Sequence, residues 1–220
     1  MRINLSERLV EFDAAVAVDC HQPQTPDVYL EVLCCTPDTR EHEALVVTRA
    51  RPSTVHAALL AIGATPGAPG SWRAADGKAV PVPPRGTGVR VTFLLDTPGG
   101  RTQEIDPATW VVQKGTGQAL REVDPDTGWV FAGSRIRRFR GQDVYDADGT
   151  GQLIGLHTFG SETLAWTRVE SPDATLQEPL WLANNALMPP IGTPVTVRLA
   201  VLGGEPIPGT PTRSAPTLND

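Results

Sequence analysis

Proline and glycine interrupt this chain so often that few stretches can form a long helix. The 220 residues include 21 prolines and 21 glycines, and both residue types are unfavourable inside helices. Most of them fall between short runs rich in apolar and β-branched residues, which is typical of strands joined by turns. The pattern therefore excludes helical bundles and solenoids and predicts a β-rich fold.

The strand-like runs are short, and turn residues separate most of them. They cover residues 8–19, 28–35, 43–48, 89–95, 128–132, 141–146, 153–158, 164–169 and 193–199. Neighbouring runs of this kind pair most readily as antiparallel hairpins. Between two of them, Gly63 to Gly88 is dense in glycine and proline, and we predict a long irregular excursion there.

One segment, Thr54 to Ile62, has the pattern of a helix. Its apolar residues recur at helical spacing, Ser53 suits the N-cap, and Gly63 suits the left-handed position after the last turn. Asp106 and a following proline predict a short helical turn over residues 107–112. The expected fold is α+β: a predominantly antiparallel sheet with one helix packed on it.

A weak internal similarity relates two parts of the chain. Five residues align at a constant offset with five later ones, as duplicated half-domains or coincidence would produce: Thr39, Glu43, Leu45, Thr48 and Arg49 with Thr158, Glu162, Leu164, Thr167 and Arg168. We predict a single domain over residues 2–202, built from two weakly similar halves. Residues 203–220 read as a solvated tail rich in proline and glycine.

The charge balance limits the classes of partner. The chain has 19 Lys and Arg against 25 Asp and Glu, a formal net charge of −6, which argues against a nucleic-acid partner. No run of about 18 apolar residues occurs, so no membrane span is expected. The start of the chain lacks the apolar core of a secretory signal.

The three cysteines leave the redox state open. Cys34 and Cys35 are adjacent, and a bridge between neighbours is strained, so a disulfide would join Cys20 to one of them. Small buried thiols are the alternative, because free cysteine is commonly buried.

The common catalytic signatures are absent from the sequence, including the G-x-S-x-G elbow, the phosphate-binding loops and C-x-x-C. Cys35, His42, Glu43 and His56 nevertheless lie within 22 residues of one another and offer thiolate, imidazole and carboxylate groups. Such groups are ligands of zinc or copper, so Cys35, His42 and His56 are candidate metal ligands.

Two further segments carry clustered charge. Arg135, Arg137, Arg138 and Arg140 form the one basic run, which we interpret as a solvated strand with local ion pairs. The segment Asp146 to Gly151 spaces its carboxylates as a calcium loop does but has His157 where the last ligand should be. A tight hairpin turn is predicted there.

Several stretches together resemble the YdjY-like domain, a family of poorly characterised bacterial proteins. They are Cys35–Thr48, His56–Gly63, Gly128–Ser134, the following segment to Thr163, and Pro189–Val197. The resemblance extends over roughly residues 2–202 and implies a fold without a chemistry. It also implies an extracytoplasmic setting, periplasmic or secreted. Some relatives carry an iron–sulfur label, which three cysteines cannot support with the usual four thiolates.

Two functional hypotheses follow. The first is a non-enzymatic extracytoplasmic binding module whose loops contact a protein, a glycan or a surface. The second is a metal-dependent enzyme or redox accessory that uses Cys35, His42, Glu43 and His56, joined by Glu162 if the internal similarity reflects duplication. Convergence of His42, Glu43 and His56 on one pocket would favour the enzyme, and their separation would count against it.

Overall fold

A computed structural model describes residues 1–24, 27–75, 78–97 and 99–203 of the chain. The strands are β1 Arg2–Asn4, β2 Leu9–Val16, β3 Val32–Cys35, β4 Ala44–Val47, β5 Pro66–Ala68, β6 Ser71–Ala75, β7 Lys78–Val82, β8 Arg85–Gly86, β9 Gly88–Asp96, β10 Thr102–Ile105, β11 Val111–Gln113, β12 Trp129–Phe131, β13 Ile136–Phe139, β14 Gln142–Tyr145, β15 Gln152–Gly155, β16 Leu164–Trp166, β17 Trp181–Ala183 and β18 Pro194–Val201. The helices are α1 Pro52–Ala61, α2 Leu120–Val123 and α3 Asp146–Thr150, with 3-10 turns at Glu41–Glu43 and Pro107–Trp110.

Eight of the strands close into a barrel. Their order around it is β2, β18, β9, β12, β16, β15, β3 and β4, and the ring closes where Ala15 and Val16 of β2 pair with Val47 and Val46 of β4. Six of the eight neighbouring pairs are antiparallel, whereas β3–β4 and β15–β16 are parallel. Closure leaves the ring without a free edge along most of its length.

The burial of each strand follows its sequence pattern. In β2 and β18 buried and partly exposed residues largely alternate, whereas every residue of β3, β15 and β16 is buried. The fully buried strands are the near-continuous apolar runs of the sequence, as strands covered on both faces usually are. Bulky residues fill the core, among them Phe12, Phe93, Trp110, Phe131, Trp166 and Trp181.

The predicted α+β class is correct in its predominantly antiparallel sheet, but the helices are minor and the fold is a largely β barrel. Helix α1 begins at Pro52 rather than Thr54 and ends at Ala61, and its N-cap is Arg51 rather than Ser53. The backbone N–H of Ser53 donates instead to Asp148 Oδ1 at 2.8 Å. Gly63 does adopt the left-handed conformation after the helix, with φ +82°.

Three local predictions need correction. The turn predicted at residues 107–112 is helical only to Trp110, with Asp106 accepting from the N–H of Ala108 at 3.0 Å as predicted, and strand β11 follows it. The predicted hairpin turn at Asp146 is the short helix α3. Much of the predicted irregular excursion after Gly63 forms the four short strands β5 to β8. Of the predicted tail, residues 204–220 lie outside the described residues.

The two parallel strand pairs sit side by side. Strand β3 pairs antiparallel with β15, so the order β4, β3, β15, β16 runs across this part of the barrel. Each parallel pair is joined by a loop, residues 36–43 in the first and 156–163 in the second. The internal similarity includes parts of these loops, with Thr39 and Glu43 in the first and Thr158 and Glu162 in the second. The two central loops, as we call them, meet where the Arg40 guanidinium lies 4.3 Å from the Phe159 ring centroid.

Candidate functional site

The first central loop carries two of the predicted site residues, His42 and Glu43. The Glu43 carboxylate is mostly buried and binds Arg40 Nη1, which also binds Glu31 Oε2 at 3.1 Å. One guanidinium therefore joins two carboxylates. The His42 side chain is 77% exposed, and its Nε2 lies 3.8 Å from Glu43 Oε2.

Glu31 and Glu43 form a carboxylate pair in which the pKa of Glu31 is shifted toward neutral pH. Burial and, after it, the neighbouring Glu43 charge raise the pKa of Glu31 to about 7, against the opposing charge of Arg40. A carboxyl with such a pKa exchanges its proton near neutral pH. Sequence reasoning missed Glu31 because nothing local marks it as the partner of Glu43.

The second central loop holds Glu162, which is fully buried. Its Oε1 accepts from the backbone N–H groups of Phe159 and Gly160 and so fixes the turn of the loop, while Oε2 has no hydrogen-bond partner among the described residues. Burial raises the pKa of Glu162 against these hydrogen bonds. The carboxyl therefore holds the loop from within.

His56 lies in a separate environment on α1. Its Nδ1 is 2.9 Å from Tyr145 Oη, which is 3.1 Å from Thr163 Oγ1, and its ring packs edge-on to Phe131. Burial lowers the pKa of His56 and raises that of Tyr145 to about 12. Both side chains are therefore neutral at pH 7, and this chain of contacts joins α1 to the barrel wall.

Cys35 is poorly placed for metal binding or nucleophilic chemistry. It is buried on β3, and burial raises the pKa of its thiol to about 11, so the reactive thiolate is scarce at neutral pH. All three cysteines are free and buried. In the described part of the chain no three His, Cys, Asp or Glu side chains lie together as metal ligands would, so Cys35, His42 and His56 form no common site.

A second buried polar cluster was not predicted from the sequence. Glu170 is fully buried: its Oε2 accepts from Trp181 Nε1 at 2.6 Å and lies 3.6 Å from His157 Nε2, while its Oε1 is 2.9 Å from Arg168 Nε. Burial lowers the pKa of His157 to about 4 and raises that of Glu170. Arg168 in the internal similarity was the one sequence signal near this cluster.

Two hairpins outside the barrel sheet carry three of the twelve large hydrophobic side chains that are exposed among the described residues. The basic hairpin consists of β13 and β14, and the tryptophan hairpin of β6 and β7; each pair forms its own two-stranded sheet. Ile136 and Phe139 of the basic hairpin are 66% and 49% exposed, and Trp72 of the tryptophan hairpin is 43% exposed. An added Cβ at Gly160 would lie 3.6 Å from the Gly70 carbonyl oxygen and 3.7 Å from Arg135 Nη1, so both hairpins start beside the second central loop.

The arginines of the basic hairpin are partly neutralised, as predicted for a solvated strand with local pairing. Arg135 and Arg137 both bind the buried Asp146, at 2.7 and 2.9 Å, and Arg138 binds Asp143 at 3.0 Å. Asp146 is thus an ion-pair partner rather than a calcium ligand. Arg140 stacks on Phe139 with its guanidinium carbon 5.2 Å from the ring centroid.

Comparison with known proteins places the chain in a family. The model of the YdjY domain matches residues 1–200, so the chain belongs to the YdjY domain family. No curated protein and no solved structure matches it significantly. Within the described residues, no helix is both long and apolar enough to cross a membrane.

Proposed function

We propose that this protein is a non-enzymatic binding module of an extracytoplasmic setting, and that its partner binds the tryptophan hairpin and the basic hairpin. The observation that carries the proposal is the exposure of Trp72, Ile136 and Phe139 on two-stranded elements without a core of their own. Aromatic residues and arginine are the types enriched where proteins meet. An isolated two-stranded hairpin is also marginally stable in water, so a partner that covers it gains contact area and order together.

The chemistry of the hairpins favours a protein partner with an apolar centre and acidic surroundings. The basic hairpin and its flank carry four arginines against Asp143 and the buried Asp146, although the whole chain has a net charge of −6. A glycan would use the aromatic faces but has little need of Ile136. The extracytoplasmic setting rests on the family resemblance, and fractionation of cells carrying the native gene tests it.

The competing hypothesis, a metal-dependent enzyme, draws no support from the geometry, because its residues lie in separate environments. His42 is solvated, His56 is held by Tyr145, and Cys35 is a buried thiol. Stoichiometric zinc or copper in protein purified without chelators would favour the enzyme over the binding module.

The test starts with a photo-crosslinking amino acid at Phe139 and, as a control, at the exposed Leu187. A protein that crosslinks only through position 139 is then identified, purified and titrated against the wild type. The double variant Ile136→Ser/Phe139→Ser should weaken binding by at least about tenfold, as loss of central interface side chains does. The control Leu176→Ser, at another exposed leucine, should leave affinity unchanged. Equal affinity of the double variant and the wild type would overturn the proposal.

A further inference from the structure

A groove of about 490 Å³ opens on the barrel wall at a break in strand pairing. On one side of β9, strand β12 pairs with Gly88 and Val89, and β10 pairs with residues 93–96. Arg90, Val91 and Thr92 lie between these two partners and line the groove. On this side, β9 therefore has no neighbouring strand over three residues, a length of about 10 Å.

The direction of the backbone groups at this break follows from strand alternation. The N–H of Leu202 donates to the carbonyl of Gly88, and the N–H of Phe131 donates to that of Thr87. Even-numbered residues of β9 thus bond to β18, and odd-numbered residues face β12 and β10. Val91 is odd-numbered, so its N–H and C=O point into the break, where no described group binds them.

The same barrel shows how a break of this kind can be closed. Strand β2 has a similar break in its pairing. Residues 9–11 pair with β1, Ala15 and Val16 pair with β4, and the residues between them pair with neither. There the hydroxyl of Thr48 donates to the Asp13 carbonyl at 2.6 Å. No described side chain does this for Val91, although it is buried. Buried backbone groups are nearly always paired, so the break at Val91 is suited to a partner from outside.

A second unpaired donor borders the groove. Trp129 lines it, and its buried Nε1 has no acceptor among the described residues. Of the charged groups that line the groove, Asp106 pairs with Arg121 and Glu104 with Arg198. Arg90 and Asp126 form no ion pair within the described part of the chain. The groove therefore offers one cation, one anion, and the backbone N–H and C=O of Val91, with the Trp129 side chain in its wall.

We propose that this groove binds a short extended peptide, about three residues long and with both terminal charges, as an added strand on β9. The peptide's middle residue exchanges two backbone hydrogen bonds with Val91, beside the Trp129 side chain that lines the groove. Arg90 and Asp126 complement the terminal carboxylate and ammonium. Strand addition at an open edge is an established mode of peptide recognition. This peptide site is separate from the partner surface proposed above. The groove lies at the start of β12, whereas the basic hairpin follows the end of β12.

The test titrates tri-alanine into the full ¹⁵N-labelled chain and follows amide and indole N–H resonances by NMR. The Val91 amide and the Trp129 indole should shift in a saturable way, while the indoles of Trp181, which is bound to Glu170, and of Trp72 should not. A tri-alanine analogue with an ester replacing the N–H of the middle residue should bind about five- to tenfold more weakly.

Variants of the groove rim sharpen the test without touching the barrel core. Arg90→Ala should weaken tri-alanine binding about two- to fivefold, as loss of an exposed charge pair does, and Arg101→Ala, an exposed arginine outside the groove, should not. The proposal is overturned if the Val91 and Trp129 resonances do not move at millimolar tri-alanine. It is equally overturned if binding appears only in a chain shortened to Gly203, because the groove would then belong to the chain's own C-terminal segment.

Discussion

The two central loops and the two hairpins differ in which side chains they bury: the loops bury polar groups, whereas the hairpins expose large apolar ones. In the loops, the Glu43 and Glu162 carboxylates are mostly buried and hydrogen-bonded, and the half-buried Arg40 joins Glu43 to Glu31. In the hairpins, large apolar side chains such as Ile136 and Phe139 remain in solvent. Arg40 of the first central loop thus joins parts of the barrel, whereas Ile136 and Phe139 of the basic hairpin lie outside the hydrophobic core.

The largest effect on stability is expected at Glu170, whose buried carboxylate lies beside His157 of the second central loop. Glu170→Ala leaves the buried Trp181 Nε1 and Arg168 Nε without their shared carboxylate, so we expect the free energy of unfolding to fall by about 3 kcal/mol. Phe139→Ser on the basic hairpin should change it by less than about 0.5 kcal/mol. Urea denaturation of both variants measures the difference. Similar losses for the two would remove the distinction between loops and hairpins.

A matched pair of glycines separates the two regions by packing alone. Gly151 and Gly141 both have positive φ, +73° and +81°, so alanine is strained at either position, by about 1 kcal/mol. A Cβ at Gly151 would also lie 2.5 Å from the Thr39 side chain in the first central loop, whereas at Gly141 nothing lies within 4 Å. Gly151→Ala should therefore cost about 2–3 kcal/mol of unfolding free energy and Gly141→Ala about 1 kcal/mol. Equal costs in thermal or urea unfolding would mean that the loop yields to the methyl group.

A pH titration tests the acid–base character of the central loops. The folded-state pKa of Glu31 is raised from 4.5 to about 7, so between these values the folded chain binds more protons than the unfolded one. Stability contributed by this group is present below pH 4.5 and lost as the pH rises through 7. We expect the wild type to lose about 1–2 kcal/mol more than Glu31→Gln between pH 5 and pH 7.5.

The comparison between variants isolates Glu31 from other titrating groups. The raised pKa values of Glu162 and Glu170 act in the same direction, and the lowered pKa of His157 acts in the opposite one, but these contributions are common to both proteins. Glu7→Gln, at an exposed position, should keep the wild-type pH profile. If Glu31→Gln also keeps it, the Glu31 carboxyl does not titrate in this range.

Local sequence signals predicted the elements better than their assembly. The runs around β9, β12 and β18, helix α1 and the Asp106 cap all follow from short-range periodicity and turn chemistry. Barrel closure through Ala15 and Val47 depends on a long-range register that no local pattern encodes. For this reason the sequence predicted a sheet with a helix rather than a closed ring.

The candidate site shows the same division. Proximity in sequence grouped Cys35, His42, Glu43 and His56, but His56 and Glu43 make their main polar contacts with residues outside that group. His56 meets Tyr145, 89 residues later, and Glu43 shares Arg40 with Glu31. Residue type identifies a group that can do chemistry, whereas its pKa and its partners depend on tertiary packing.

The smallest expected effect concerns the ion pair of the basic hairpin. Arg138 and Asp143 are both more than 60% exposed, so solvent screens their attraction, and Arg138→Ala should change the free energy of unfolding by less than about 0.5 kcal/mol. The same variant should weaken binding of the hairpin partner, and added salt should reduce that loss, because exposed charges act mainly on association. Arg40→Ala removes the guanidinium that binds Glu31 and Glu43. It should destabilise the fold and leave the affinity of the folded protein for the hairpin partner unchanged. A variant series in which both arginines affect stability equally would show that the hairpins are part of the folding core.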